Sequence, residues 1–85
     1  MVWYLYILQC EDASLYTGIT INIQRRLAQH QAGQGSKYVR SKGRMKLVRV
    51  EPHQTKASAL RRELEIKSWS RDKKLALIAA SIDAV

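Results

Sequence analysis

Apolar and aromatic residues fill two early runs, Val2 to Leu8 and Leu15 to Ile23, on either side of a polar break from Gln9 to Ser14. Two β-rich runs about a short polar break predict a hairpin. In the first strand, about Val2 to Gln9, alternation places Val2, Tyr4, Tyr6 and Leu8 on one face and Trp3, Leu5 and Ile7 on the other. Both faces are apolar or aromatic, which predicts a central strand covered on both sides. The turn Glu11-Asp12-Ala13-Ser14 leads to a second strand, about Leu15 to Thr20, with Tyr16, Gly18 and Thr20 on one face. A glycine inside a strand marks close approach of another group, so something is expected to sit against Gly18.

The period then changes. Asn22 is a good N-cap and Gly33 a good stop for a helix over about Ile23 to Ala32. Ile23 and Leu27 form its expected buried stripe, with Ala28 beside them, and Arg26 and His30 share a second face at i, i+4. Gln34 to Arg44 reads as a loop whose glycines lack Walker spacing. A third strand is expected over Met45 to Val50, ended by Pro52. Thr55 caps a second helix, about Lys56 to Trp69, with Leu60 and Leu64 inward and Glu63 at the edge of that stripe. A third helix begins near Ser70 and carries Leu75, Ile78, Ile82 and Val85, a stripe that either completes the core or docks a partner.

Eighty-five residues set one domain, 1–85. A lone cysteine, Cys10, excludes an internal disulfide and fits a reducing compartment. The first apolar run has no basic residues before it and no small residues just before Cys10, so it is read neither as a signal peptide nor as a lipoprotein site. It is also too short to span a bilayer. The expectation is a soluble, cytoplasmic protein without membrane association.

Charge adds a partner class. The net charge is +8, and no carboxylate lies between Asp12 and Glu51. That interval holds Arg25, Arg26, Lys37, Arg40, Lys42, Arg44, Lys46 and Arg49. A block of one sign attracts phosphates, so nucleic acid is the expected partner, with a solvated basic surface as the plainer reading. Arg25, Lys37, Arg40 and Lys42 grip a backbone and Tyr38 stacks a base, or they form an ordinary basic loop.

Cys10, His30 and His53 have no zinc spacing, and no dinucleotide fingerprint is present. What remains is Tyr6, Tyr16, Arg26, His30 and Glu63. Each has an ordinary structural role: strand tyrosines at a core rim, a surface arginine, a solvated helix-end histidine, and a Glu63–Lys67 helix ion pair. As a set they can serve phosphodiester hydrolysis, which needs a cation on the phosphate, a base for water and compensation of developing charge.

Tyr4-Leu5-Tyr6, Tyr16-Thr17-Gly18, Arg26 eight residues after Gly18, and Glu63 in Arg62-Glu63 together resemble the GIY-YIG nuclease domain. The resemblance covers about Trp3 to Trp69. It is closest to the small stand-alone bacterial members and similar to the catalytic domain of the endonuclease that resolves branched DNA. More distantly it resembles the DNA-repair incision subunit and intron homing nucleases.

It implies an α+β fold, a small three-stranded antiparallel sheet flanked by helices. It also implies a metal-dependent DNA endonuclease, with RNA a further substrate option. Glu63 is implied as the lone ligand for Mg²⁺ or Mn²⁺, and Arg26 as the phosphate clamp. Tyr6 is implied to help activate water and Tyr16 to position water or phosphate. His30 matches a position where the family places His or Tyr. Tyr4 stands in place of the motif's Gly and Thr17 in place of its Ile; both look like packing positions. Family members borrow targeting from an attached domain, which these residues do not contain. The chain is thus expected to act with a targeting partner, as a homodimer or with weak selectivity. A non-cleaving nucleic-acid-binding module and a protein-interaction domain are the alternatives.

Overall fold

The computed structural model describes residues 1–31 and 45–83, with side chains placed for 1–31 and 45–80. Its elements are β1 (Trp3–Cys10), β2 (Leu15–Thr20), α1 (Ile23–Gln31), β3 (Met45–His53), α2 (Lys56–Lys67) and α3 (Arg71–Asp83). Among the described residues the strands form one antiparallel sheet in the order β2-β1-β3. This is the α+β arrangement that the resemblance implies.

The central place of β1 follows from its two-sided apolar pattern, and each face has its own core. On one, Tyr6, Leu8, Cys10 and Met45 pack with Tyr16, Leu47 and the α1 residues Ile23 and Leu27. On the other, Leu5 and Ile7 meet Ile66 of α2 and Ile78 of α3. The hairpin turn is built locally. Ala13 takes the left-handed conformation (φ 69°), and the Asp12 carboxylate accepts hydrogen bonds from the Ser14 amide and hydroxyl. From α3, the Arg71 guanidinium donates to the Ala13 carbonyl at 2.7 Å.

Helix starts obey the sequence. Asn22 Oδ1 accepts from the Arg25 amide at 2.9 Å, Thr55 Oγ1 from the Ser58 amide at 3.1 Å, and Ser70 Oγ from the Lys73 amide at 3.3 Å. The expected Gly33 stop and the basic loop with Lys37, Tyr38, Arg40 and Lys42 lie outside the described residues, as do the side chain of Ile82 and all of Val85.

Several expectations fail. Pro52 does not end β3, which runs on to His53 with Pro52 opposite Tyr4. β3 is an edge strand, where a residue lacking an N–H is tolerated. α2 stops at Lys67 rather than Trp69. Its inward residues are Ala59 and Ile66, both fully buried, whereas Leu60 is 37% and Leu64 67% exposed. Ala28 of α1 is exposed too. Arg49 does not project as a free phosphate contact either. It pairs with Glu51 at 2.8 Å, and Arg62 reaches the same carboxylate at 2.9 Å. Burial alone raises the Glu51 pKa, but hydrogen bonds from Arg62 and Arg49 outweigh it and hold the carboxyl below its ordinary value.

Candidate active site

The sheet register brings the first pieces together. Tyr6 lies opposite Gly18, and Leu8 opposite Tyr16, so the two tyrosines are diagonal neighbours on one face. Their ring centroids are 6.3 Å apart. Gly18 makes this possible: a Cβ there would lie 2.5 Å from Tyr6 Oη and 2.7 Å from its Cζ. The group expected against Gly18 is therefore the phenol of Tyr6 itself. Gly18→Ala should cost about 1–3 kcal/mol, because the buried ring must move to admit a methyl group. Thermal unfolding of the variant measures this.

α1 supplies the next two. Arg26 and His30, one turn apart, both line a narrow crevice against Tyr6, Leu8 and Leu47. His30 is buried, not the solvated helix-end residue of its ordinary reading. Its Nε2 lies 3.1 Å from Tyr6 Oη, and its ring meets Tyr16 edge-on with centroids 5.2 Å apart. Burial, followed by the charge of Arg26, lowers the His30 pKa, so the imidazole is neutral at neutral pH. Burial pushes the Tyr6 phenol above its ordinary value, Tyr16 adds to this, and Arg26 opposes it only in part. With the phenol protonated and the imidazole neutral, the direction of this hydrogen bond follows the His30 tautomer: Tyr6 donates where Nε2 is unprotonated.

Glu63 comes from α2, whose Ile66 packs on the opposite face of the sheet, yet its negative charge also helps to raise the Tyr6 pKa. Its side chain is only 16% exposed and lies 3.5 Å from Lys67 Nζ. The ordinary helix ion pair thus exists, and Glu63 does not line the crevice itself. Among the described residues no group of three or more His, Cys, Asp or Glu could hold a metal ion, which leaves Glu63 as a single hard oxygen donor. Such a set suits Mg²⁺, which commonly takes one or two carboxylates and completes its shell with water and substrate phosphate.

Two buried nitrogens at this crevice, Arg26 Nε and His30 Nδ1, have no hydrogen-bond partner among the described residues. Buried polar atoms are rarely left so, and a bound ligand is one way to satisfy them. Arg25, proposed from sequence to hold nucleic acid, is exposed on α1. No local pattern announces His30's partnership with Tyr6, because the contact spans 24 positions. No helix among the described residues is long and apolar enough to cross a membrane.

Known proteins resemble this chain in sequence and fold. The model of the GIY-YIG catalytic domain matches residues 2–76. A UPF0213 protein of Natronomonas pharaonis is 50% identical over 76 residues, 89% of each chain. Another, of Staphylococcus saprophyticus, is 49% identical over 76 residues, 89% of this chain and 93% of its own. The solution NMR structure of a UPF0213 protein of Bacillus halodurans superposes with a TM-score of 0.62 at 42% identity, covering 94% of this chain and 85% of the other. A match over residues 2–76, most of the chain, places it in the GIY-YIG catalytic domain family, a family of nucleases.

Proposed function

We propose that this chain is a divalent-metal-dependent endonuclease that hydrolyses phosphodiester bonds in DNA, with branched or otherwise non-regular DNA as its substrate class. One observation carries the reading: Tyr6, Arg26 and His30 line one crevice and Tyr16 packs on two of their rings, with unsatisfied nitrogens on Arg26 and His30 and the field of Glu63 reaching Tyr6.

Arg26 binds the scissile phosphate and offsets charge that develops on it. Tyr6 relays a proton: its hydroxyl takes one from the attacking water as it passes its own to His30 Nε2, 3.1 Å away. This removes the difficulty that a phenol with a raised pKa is a poor base alone, because the neutral imidazole is the final acceptor. Tyr16 packs on both rings and fixes their orientation. Glu63 holds the metal, Mg²⁺ or Mn²⁺, whose chemistry is to neutralise phosphate charge and orient the reacting oxygens.

The test is incubation of the purified chain with labelled flaps, junctions, single strands and RNA, in Mg²⁺, in Mn²⁺ and in EDTA. Cleavage of a branched DNA in metal and none in EDTA is the expected result. A panel left whole with both metals sinks the enzyme reading. Binding should also be salt-sensitive. With about four phosphates neutralised, log K should fall with log salt at a slope of roughly −3 to −4. Titrations between low and physiological salt measure it, and an unchanged affinity would remove nucleic acid as the partner.

A further inference from the structure

Beside the Tyr6–His30 crevice the same sheet face continues into a second, open groove of about 450 Å³, lined by Tyr4, Ile21, Asn22, Ile23, Gln24 and Val50. That volume is in the range of small-ligand sites. Two of its walls are apolar residues left in water: Ile21 is 37% and Val50 39% exposed. Ile23 lines both this groove and the crevice, Tyr4 precedes Tyr6 by two positions on its strand face, and Val50 stands directly opposite Tyr6. The groove thus adjoins the crevice that holds Tyr6.

We infer that this groove is a subsite for an unpaired nucleobase next to the scissile phosphate, with Tyr4 as its stacking platform. The inference rests on the nuclease reading and deepens it. The chemistry of the walls selects the occupant. A half-buried tyrosine and two exposed aliphatic side chains suit a flat apolar face, and the Asn22 and Gln24 amides offer hydrogen bonds at its edge. Arg25 and Arg26, next along α1, supply positive charge where the attached phosphates run, on a chain whose net charge is +8. A ligand with an aromatic face and an anionic backbone is a nucleotide of a single strand. A base already stacked within a duplex cannot present its face to Tyr4, so the groove selects flaps, junctions and frayed ends.

Tyr4 occupies the position at which the resembling motif has a glycine. It does more there than pack: it turns a bare strand into one wall of a ligand groove.

The test measures equilibrium binding of the full chain to a duplex with a single-stranded flap, and to the same DNA with the flap bases removed as abasic residues. EDTA keeps both intact. Tyr4→Ala should weaken binding of the normal flap about tenfold, Tyr4→Trp should retain it, and wild type should bind the abasic flap as weakly as Tyr4→Ala does. Ile21→Ser, an uncharged change at an exposed wall position, should reproduce the selective loss even if Tyr4→Ala folds poorly. Equal affinity of wild type and Tyr4→Ala for the normal flap, or equal losses on both DNAs, overturns the subsite and leaves the nuclease reading standing. Wild type that neither binds nor cuts any of these DNAs overturns both.

Discussion

Glu63→Gln is expected to lose DNA cleavage by about 10³-fold or more while its folding and its affinity for DNA persist. The substitution keeps the shape of the side chain and removes the charge. Losing a metal that neutralises phosphate charge as the transition state forms raises the barrier by several kcal/mol, and each ~1.4 kcal/mol is tenfold in rate. Stability should hardly change, because the ion pair that Glu63 makes is with Lys67, whose side chain is 52% exposed. Such i, i+4 pairs contribute only about 0.3–0.5 kcal/mol. Binding should hold or tighten, since a negative charge beside the phosphate is gone. Arg26→Ala, by contrast, should weaken binding along with cleavage, because arginine meets phosphate in the ground state as well. Single-turnover cleavage, thermal unfolding and binding titrations on one preparation separate these outcomes. Full cleavage by Glu63→Gln removes Glu63 from the site, and a large loss of stability makes it a structural residue.

The strands were legible because alternation is a local signal. β1 carries apolar side chains on both faces, and that alone places it in the middle of the sheet. The hairpin was legible for the same reason, down to Leu15 and Thr20 as the ends of β2. β3 was read too short because Pro52 is a strong breaker in a central strand and a mild one at an edge, and edge position is a property of the whole sheet. The candidate cluster was legible as residue types at motif spacing. Its electrostatics were not, because the burial of His30 and its contact with Tyr6 arise only when α1 folds back on the sheet. The groove at Tyr4 was missed because a tyrosine on a strand looks like packing until its neighbours are seen to leave one side open.

α2 shows how function obscures a pattern. Its inner stripe runs Ala59, Arg62 and Glu63, Ile66, which is regular helical spacing with charges in the middle. Arg62 is there because it answers Glu51 on β3, and the charge of Glu63 is felt at Tyr6. With the inner face partly polar, the largest apolar residues of the helix, Leu60 and Leu64, are left outside, and a reading by hydrophobicity selects the wrong side. Local rules are expected to fail where a site has claimed positions that packing would otherwise fill.

The two readings of α2 predict opposite mutants. Ile66→Ala should destabilise the chain by about 2–5 kcal/mol, the range for truncating a buried large aliphatic side chain. Ile66 is fully buried and sits with Leu5, Ile7 and Ile78 where both later helices close on β1, so neighbouring groups cannot easily collapse into the space it leaves. Leu64→Ala, two positions earlier and two-thirds exposed, should stay within about 0.5 kcal/mol of wild type, as surface substitutions usually do. A small domain has only about 5–15 kcal/mol in hand, so the first change should lower the unfolding midpoint steeply and the second leave it in place. Urea or thermal unfolding of the two variants side by side decides it. A larger loss in Leu64→Ala than in Ile66→Ala would rotate α2 about its axis and turn Glu63 away from Tyr6, and the proposed metal ligand would go with it.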